Sequence, residues 1–219
     1  MNIEKYIDHT FLKSDASYSD IKKLCNEAIK YDFYSVCINP YFVKMAKRLL
    51  ENSNVKVCTV IGFPLGANII STKIFETNQA ILDGVDEIDM VMNITEFKEK
   101  NYNFIKEEIN CIKKECGDKI LKVIIETCAL TKDEIVKACE IVDTTDADFI
   151  KTSTGFGKYG ANYEDVKLML DNVKKLSVKA SGGISDGKIA KEYINMGVKR
   201  IGTSNGVKII ENIIGSTDY

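Results

Sequence analysis

Short apolar runs alternate with amphipathic stretches along the whole chain. Residues 6–12, 33–39, 56–61, 87–92, 122–127, 149–151, 177–180 and 199–202 read as strands, rich in Val, Ile and Phe and bounded by turn residues. Between them, apolar residues recur at helical spacing. Ile21, Leu24, Cys25, Ala28 and Ile29 mark a helix over 18–30, with Ser17 or Ser19 as its cap. Further helices are predicted over 41–50, 72–82, within 102–116, and over 131–142, 163–174, 186–195 and 207–213. Pro40 stands at the first position of its helix, where a missing amide hydrogen costs nothing.

Eight strand-then-helix units imply a parallel sheet with right-handed crossovers. No Gly-x-Gly-x-x-Gly follows the first strand, and eight units in this length favour a closed barrel over an open doubly wound sheet. The expected fold is therefore α/β, a (β/α)8 barrel with a short N-terminal segment before the first strand. Residues 1–219 are expected to form one domain with a mobile tail at 215–219. In such a barrel, chemistry belongs at the C-terminal ends of the strands.

Charge and cysteine usage narrow the partners. The formal net charge is −2 and 28% of residues are charged, without a basic face for nucleic acid or an acidic tail. No segment has the length of a membrane span, and the N-terminus lacks a secretory pattern. A small-molecule partner, no nucleic acid, no membrane and a cytoplasmic location are expected, with a homo-oligomer, dimer or tetramer, as the assembly. The seven cysteines form no Cys-x-x-Cys pair, and His9 is the one histidine, so a zinc site is disfavoured and reduced thiols are expected.

The chemistry gathers in Asp148-Phe-Ile-Lys-Thr-Ser-Thr-Gly-Phe-Gly-Lys-Tyr-Gly160, where an apolar strand delivers Lys151 into a loop of small residues. A desolvated lysine can lose its proton near neutral pH and attack a carbonyl. Lys179 occupies the same place on the next strand, and alternation puts each lysine on one face with its i±2 neighbours. Two amines so close cannot both be comfortably protonated, so one becomes reactive. Two unrelated solvated lysines are the alternative. Asp89 interrupts an apolar strand and needs a partner, for which either lysine would serve. Asp8 on the first strand is a candidate of the same kind, and Glu126 either orients its neighbours or takes part in chemistry.

Ser181-Gly182-Gly183-Ile184 and Gly202-Thr203-Ser204-Asn205 follow the seventh and eighth strands, where barrels often bind phosphate on backbone amides. An ordinary turn with Ser204 as an N-cap is the alternative. Cys37 ends the second strand; it is either a core thiol or one that faces the cavity, in which case an aldehyde would inactivate the protein and a Cys37→Ala variant would survive longer.

These blocks together, from Cys37-Ile-Asn-Pro40 and Thr59-Val-Ile-Gly-Phe-Pro-Leu-Gly66 through Asp86-Glu-Ile-Asp89 and Lys122-Val-Ile-Ile-Glu-Thr127 to Phe149–Gly157 and Lys179–Ile184, resemble the deoxyribose-phosphate aldolase family. The resemblance implies a metal-free class I aldolase, without cofactor, that interconverts 2-deoxyribose 5-phosphate with glyceraldehyde 3-phosphate and acetaldehyde. It assigns the Schiff base to Lys151, the pKa-depressing cation to Lys179 and a water-linked proton relay to Asp89. Gly155, Gly182, Gly183, Gly202 and Ser204 fall where the family holds phosphate, while Phe156 and Asn205 replace a lysine and a serine of some relatives. Tyr219 matches a terminal tyrosine that assists proton movement in some members. A Schiff-base aldolase for a longer sugar phosphate, and a phosphosugar-binding barrel without chemistry, are the competing readings.

Overall fold

The computed structural model describes residues 2–212. Eight parallel strands close into a barrel in sequence order: β1 Ile7–Phe11, β2 Ser35–Ile38, β3 Lys56–Ile61, β4 Glu87–Val91, β5 Ile120–Ile124, β6 Phe149–Lys151, β7 Ser177–Ser181 and β8 Arg200–Thr203. The ladder from β8 back to β1, with Asp8 opposite Gly202, completes the closure. A 3-10 turn, Ile3–Tyr6, forms the N-terminal segment, and Ile3 is its buried anchor.

The helices lie outside the strands: α1 Tyr18–Lys30, α2 Val43–Leu49, α3 Ile70–Leu82, α4 Ile94–Lys98, α5 Tyr102–Cys116, α6 Lys132–Val142, α7 Tyr163–Asn172, α8 Gly187–Met196 and α9 Gly206–Ile210. Their starts follow side-chain capping. Ser17 accepts from the Asp20 amide while Asp20 reaches back to the Ser17 amide, and Thr131 and Glu134 repeat this at α6. Each strand therefore divides its residues between two environments. Outward positions such as Val36, Ile88, Val123, Ile150, Val178 and Ile201 pack under the helices in the main core. Inward positions carry the charges described below.

Three local differences from the sequence reading have physical reasons. Pro40 opens a 3-10 turn, Pro40–Phe42, and the regular helix begins only at Val43. Residues 94–98 form a helix of their own because Asn93 caps the Glu96 amide. β5 begins at Ile120 and ends at Ile124, and Glu126 lies beyond it with φ 52°, so Lys122 is central in the strand instead of at its start. The end predicted for the last helix and the tail at 215–219 lie outside the described residues. Among those described, no helix is long and apolar enough to cross a membrane.

Candidate active site

Period-two alternation turns the apolar barrel inside out at its axis. Asp8, Glu87, Asp89, Lys122, Lys151, Lys179 and Arg200 project inward from six strands, and all seven are buried. Lys151 and Lys179 are direct register partners on β6 and β7. Both ammonium groups reach the same oxygen, Asp89 Oδ2, at 2.8 and 2.7 Å. Lys122 Nζ donates to the other oxygen, Oδ1, at 2.8 Å, and lies 2.6 Å from Glu87.

The sequence candidates thus meet at one carboxylate. Asp8 joins them from below, with Lys179 Nζ at 2.5 Å and Arg200 at 2.5 Å, and Ser35 donates to it at 2.7 Å. Arg200 also pairs with Glu87 at 2.6 Å and stacks on the Tyr34 ring at 3.5 Å. Four basic side chains therefore face three carboxylates. The cluster carries one more cation than anion, and Lys151 and Lys179 share a single carboxylate oxygen.

The groups around Lys151 are shifted by this crowding. Burial pushes the Asp89 carboxyl up, but Lys122, Lys151 and Lys179 together outweigh it and hold it well below the usual carboxylate range. Burial opposes the charge on Lys179, but Asp8 and Asp89 overcome it, so Lys179 stays cationic. Lys122 is likewise raised well above its ordinary value against burial, chiefly by Asp89. Lys151 is therefore set against two amines fixed in their charged form.

The loops above are tied together. Thr152 Oγ1 donates to the Ser181 carbonyl at 3.1 Å and accepts from the Ser181 amide at 3.0 Å, while Ser181 Oγ donates to the Ser153 carbonyl at 2.6 Å. The Ala161 amide adds bonds to the Ser181 and Gly182 carbonyls. Gly160 permits that seam: a Cβ there would stand 2.2 Å from the Gly182 carbonyl. At Gly202 a Cβ would meet Ser181 Cβ at 2.8 Å and Lys179 Cε at 3.2 Å, so this glycine makes room for the Lys179 side chain. Gly155, Gly182 and Gly183 lie at the mouth on the same side, all with positive φ, and Ser204 is exposed there.

A cavity of about 510 Å³ opens between the loops of β3 to β6, lined by Leu65, Val91, Glu126, Thr154, Phe156 and Lys158. Phe156 in its wall meets Phe63 edge to face, centroids 5.4 Å apart. Glu126 is held by the Thr154 hydroxyl, and its left-handed backbone directs the carboxylate there. Cys37 faces the barrel interior, in a small cluster with Leu12, Cys58 and Val60. His9 points away from the site and bonds Glu27 at 2.8 Å. Tyr219 lies outside the described residues.

Sequence reasoning missed Lys122, Glu87, Arg200 and Cys58. Lys122 stood at an apparent strand start and Arg200 one residue after Lys199 began another, where basic residues are ordinary. The usable signal was parity, since Lys122 falls on the face of its strand that points to Asp89 once the strand begins at Ile120.

Residues 3–214 match the DeoC family, described as DeoC/LacD family aldolase. A protein of Finegoldia magna named deoxyribose-phosphate aldolase is 55% identical over 212 residues, covering 96% of this chain and 100% of that relative. A solved aldolase, QR15, superposes with a TM-score of 0.92 at 44% identity, over 95% of this chain and 94% of its own. The tetrameric deoxyribose phosphate aldolase from Aeropyrum pernix gives a TM-score of 0.87 at 30% identity, over 95% and 89% of the two chains. With a family match and relatives of this identity running nearly end to end, the chain belongs to the DeoC/LacD family of aldolases.

Proposed function

We propose that this aldolase, a carbon–carbon lyase, acts through a Schiff base on Lys151 and reversibly cleaves 2-deoxyribose 5-phosphate to glyceraldehyde 3-phosphate and acetaldehyde. The observation that carries the mechanism is the pair of register-matched lysines on one carboxylate oxygen. The substrate rests on the names of relatives such as that of Finegoldia magna.

In the synthetic direction, neutral Lys151 attacks the acetaldehyde carbonyl, and loss of water from the carbinolamine gives an iminium. That cation restores positive charge where the ammonium stood, 2.8 Å from Asp89 Oδ2, so the carboxylate stabilises it. Removal of a methyl proton yields the enamine, which adds to the aldehyde of glyceraldehyde 3-phosphate. Asp89 orders the water that carries the proton, while Lys122 and Lys179 keep it anionic. Gly155, Gly182, Gly183, Gly202 and Ser204 surround the phosphate at the mouth. Water then attacks the product iminium and frees Lys151.

No metal enters this scheme. Among the described residues Cys37, Cys58 and Asp89 bring possible ligand atoms within 4.8 Å of one another, but ammonium groups occupy both Asp89 oxygens and would repel a cation. The protein acts in the cytoplasm as a homo-oligomer whose protomers each fold residues 1–219 as one barrel domain, in line with the tetramer named for the Aeropyrum pernix relative. Tyr219 assists the proton transfer from its tail.

The substrate test is competition between 2-deoxyribose 5-phosphate and hexose phosphates. Selective release of glyceraldehyde 3-phosphate from the five-carbon sugar supports the assignment. Faster cleavage of a six-carbon substrate transfers it to a longer sugar.

A further inference from the structure

The proposed chemistry uses no thiol, yet the barrel interior holds two. Cys37 on β2 and Cys58 on β3 are direct register partners, both fully buried and both inward. Their sulfur atoms lie within 4.8 Å of each other and of Asp89, and the Cys58 thiol donates to Asp89 Oδ1 at 3.2 Å with Lys122 Nζ 3.4 Å away. The other walls of this small cluster, Leu12, Val60 and Phe63, are apolar.

We propose that Cys37 and Cys58 form a reversible disulfide when a hydroperoxide enters the barrel, and that this oxidation switches off the adjacent lysine–carboxylate cluster. Neighbouring positions on paired strands fall within the Cα separation a disulfide spans, whereas strand-to-strand geometry leaves such a bond strained and easily reduced. The chemistry is divided between the two thiols. When Cys58 turns its one S–H from Asp89 to Cys37 it lowers the Cys37 thiol against burial and the Asp89 charge, with smaller help from Lys179 and Lys151, while burial holds Cys58 well above its ordinary value. Cys37 is the nucleophile and Cys58 the resolving thiol.

The Cys37 thiolate attacks one peroxide oxygen, the O–O bond breaks, and hydroxide leaves and is protonated to water. Cys58 then attacks the Cys37 sulfenic acid: the S–S bond forms, the S–O bond breaks, and the Cys58 proton leaves with the oxygen as a second water. Two thiols are oxidised and one peroxide is reduced. Acetaldehyde, to be used, must reach Lys151, itself only 2% exposed, and hydrogen peroxide is smaller. Closing the bridge draws Cys58 Sγ from Asp89 towards Cys37 and strips the carboxylate of one donor. The access argument and the loss of activity rest on the aldolase reading, whereas the linked peptide is read independently of turnover.

The test treats the full-length protein with hydrogen peroxide, maps linked peptides without reduction, and measures turnover before and after dithiothreitol, each variant normalised to its own untreated rate. The expected result is a mass decrease of about 2 Da, a Cys37–Cys58 linked peptide, and a loss of turnover that dithiothreitol reverses. In Cys58→Ala the reaction should stop at a Cys37 sulfenic acid, trapped by dimedone. In Cys37→Ala no bridge should form. Oxidation confined to the half-buried Cys111 and Cys128, or to any site without a Cys37–Cys58 peptide, would overturn the proposal. A linked peptide with unchanged turnover would overturn the switch.

Discussion

Lys73 and Lys151 are both buried lysines hydrogen-bonded to a carboxylate, and they differ in how that carboxylate is shared. Lys73, on α3, has Glu108 of α5 at 2.6 Å and the Val91 carbonyl at 2.8 Å. Glu108 turns its second oxygen to the Asn93 amide. One cation meets one anion, and the pair braces the turns after β3 and β4. Lys151 instead shares a single oxygen with Lys179, and a third amine holds the other. Burial alone does not make a lysine structural or reactive; the local count of charges around it does.

The largest expected effect comes from removing the reactive member. Lys151→Ala should lower turnover by about 10⁴-fold or more, while equilibrium binding of inorganic phosphate stays largely intact. Retained turnover would erase the distinction between the two lysines. Neutralising the shared anion comes next: Asp89→Asn should cost about 10²- to 10³-fold in turnover. It should also flatten the acid side of the stability profile. The folded pKa of Asp89 is depressed below its unfolded value near 3.9, so its stabilisation is full above about pH 4 and is lost as pH falls through the folded pKa. Unfolding followed from pH 5 downward in both proteins checks the sign.

Lys73→Met should act on stability instead. It strands Glu108, whose carboxyl is already raised by burial against the pull of Lys73, and should lose about 3 kcal/mol. Denaturant unfolding measures it, and Lys73→Met with Glu108→Leu should recover most of the loss, because burial opposes the charge on both partners. A single variant that remains stable but catalytically dead would reverse the roles assigned here. The smallest effect should be at the mouth, where Ser204→Ala removes one hydroxyl: KM for the phosphorylated substrate should rise by about 5-fold with kcat nearly constant.

The barrel and its central lysines were legible because charged residues inside apolar strands violate the pattern that surrounds them. Lys151, Lys179 and Asp89 each did so. Lys122 and Arg200 did not, since Lys122 began its expected strand and Arg200 followed Lys199 at the start of another, and only the true start of β5 and the closure of β8 on β1 reveal their inward parity. Lys73 was hidden for another reason. A lysine on an amphipathic helix ordinarily faces water, and its burial depends on Glu108 arriving from a helix 35 residues away. Pairings of that range leave no periodic trace in either segment.

The most direct test of the central claim is reductive trapping. The protein is mixed with acetaldehyde and borohydride, its intact mass is measured and its peptides are mapped, with Lys151→Ala alongside. The account predicts one reduced adduct, on Lys151, absent from the variant, with Lys73, Lys122 and Lys179 unlabelled. An adduct spread over surface lysines, or one on Lys179 that persists in the variant, would contradict it.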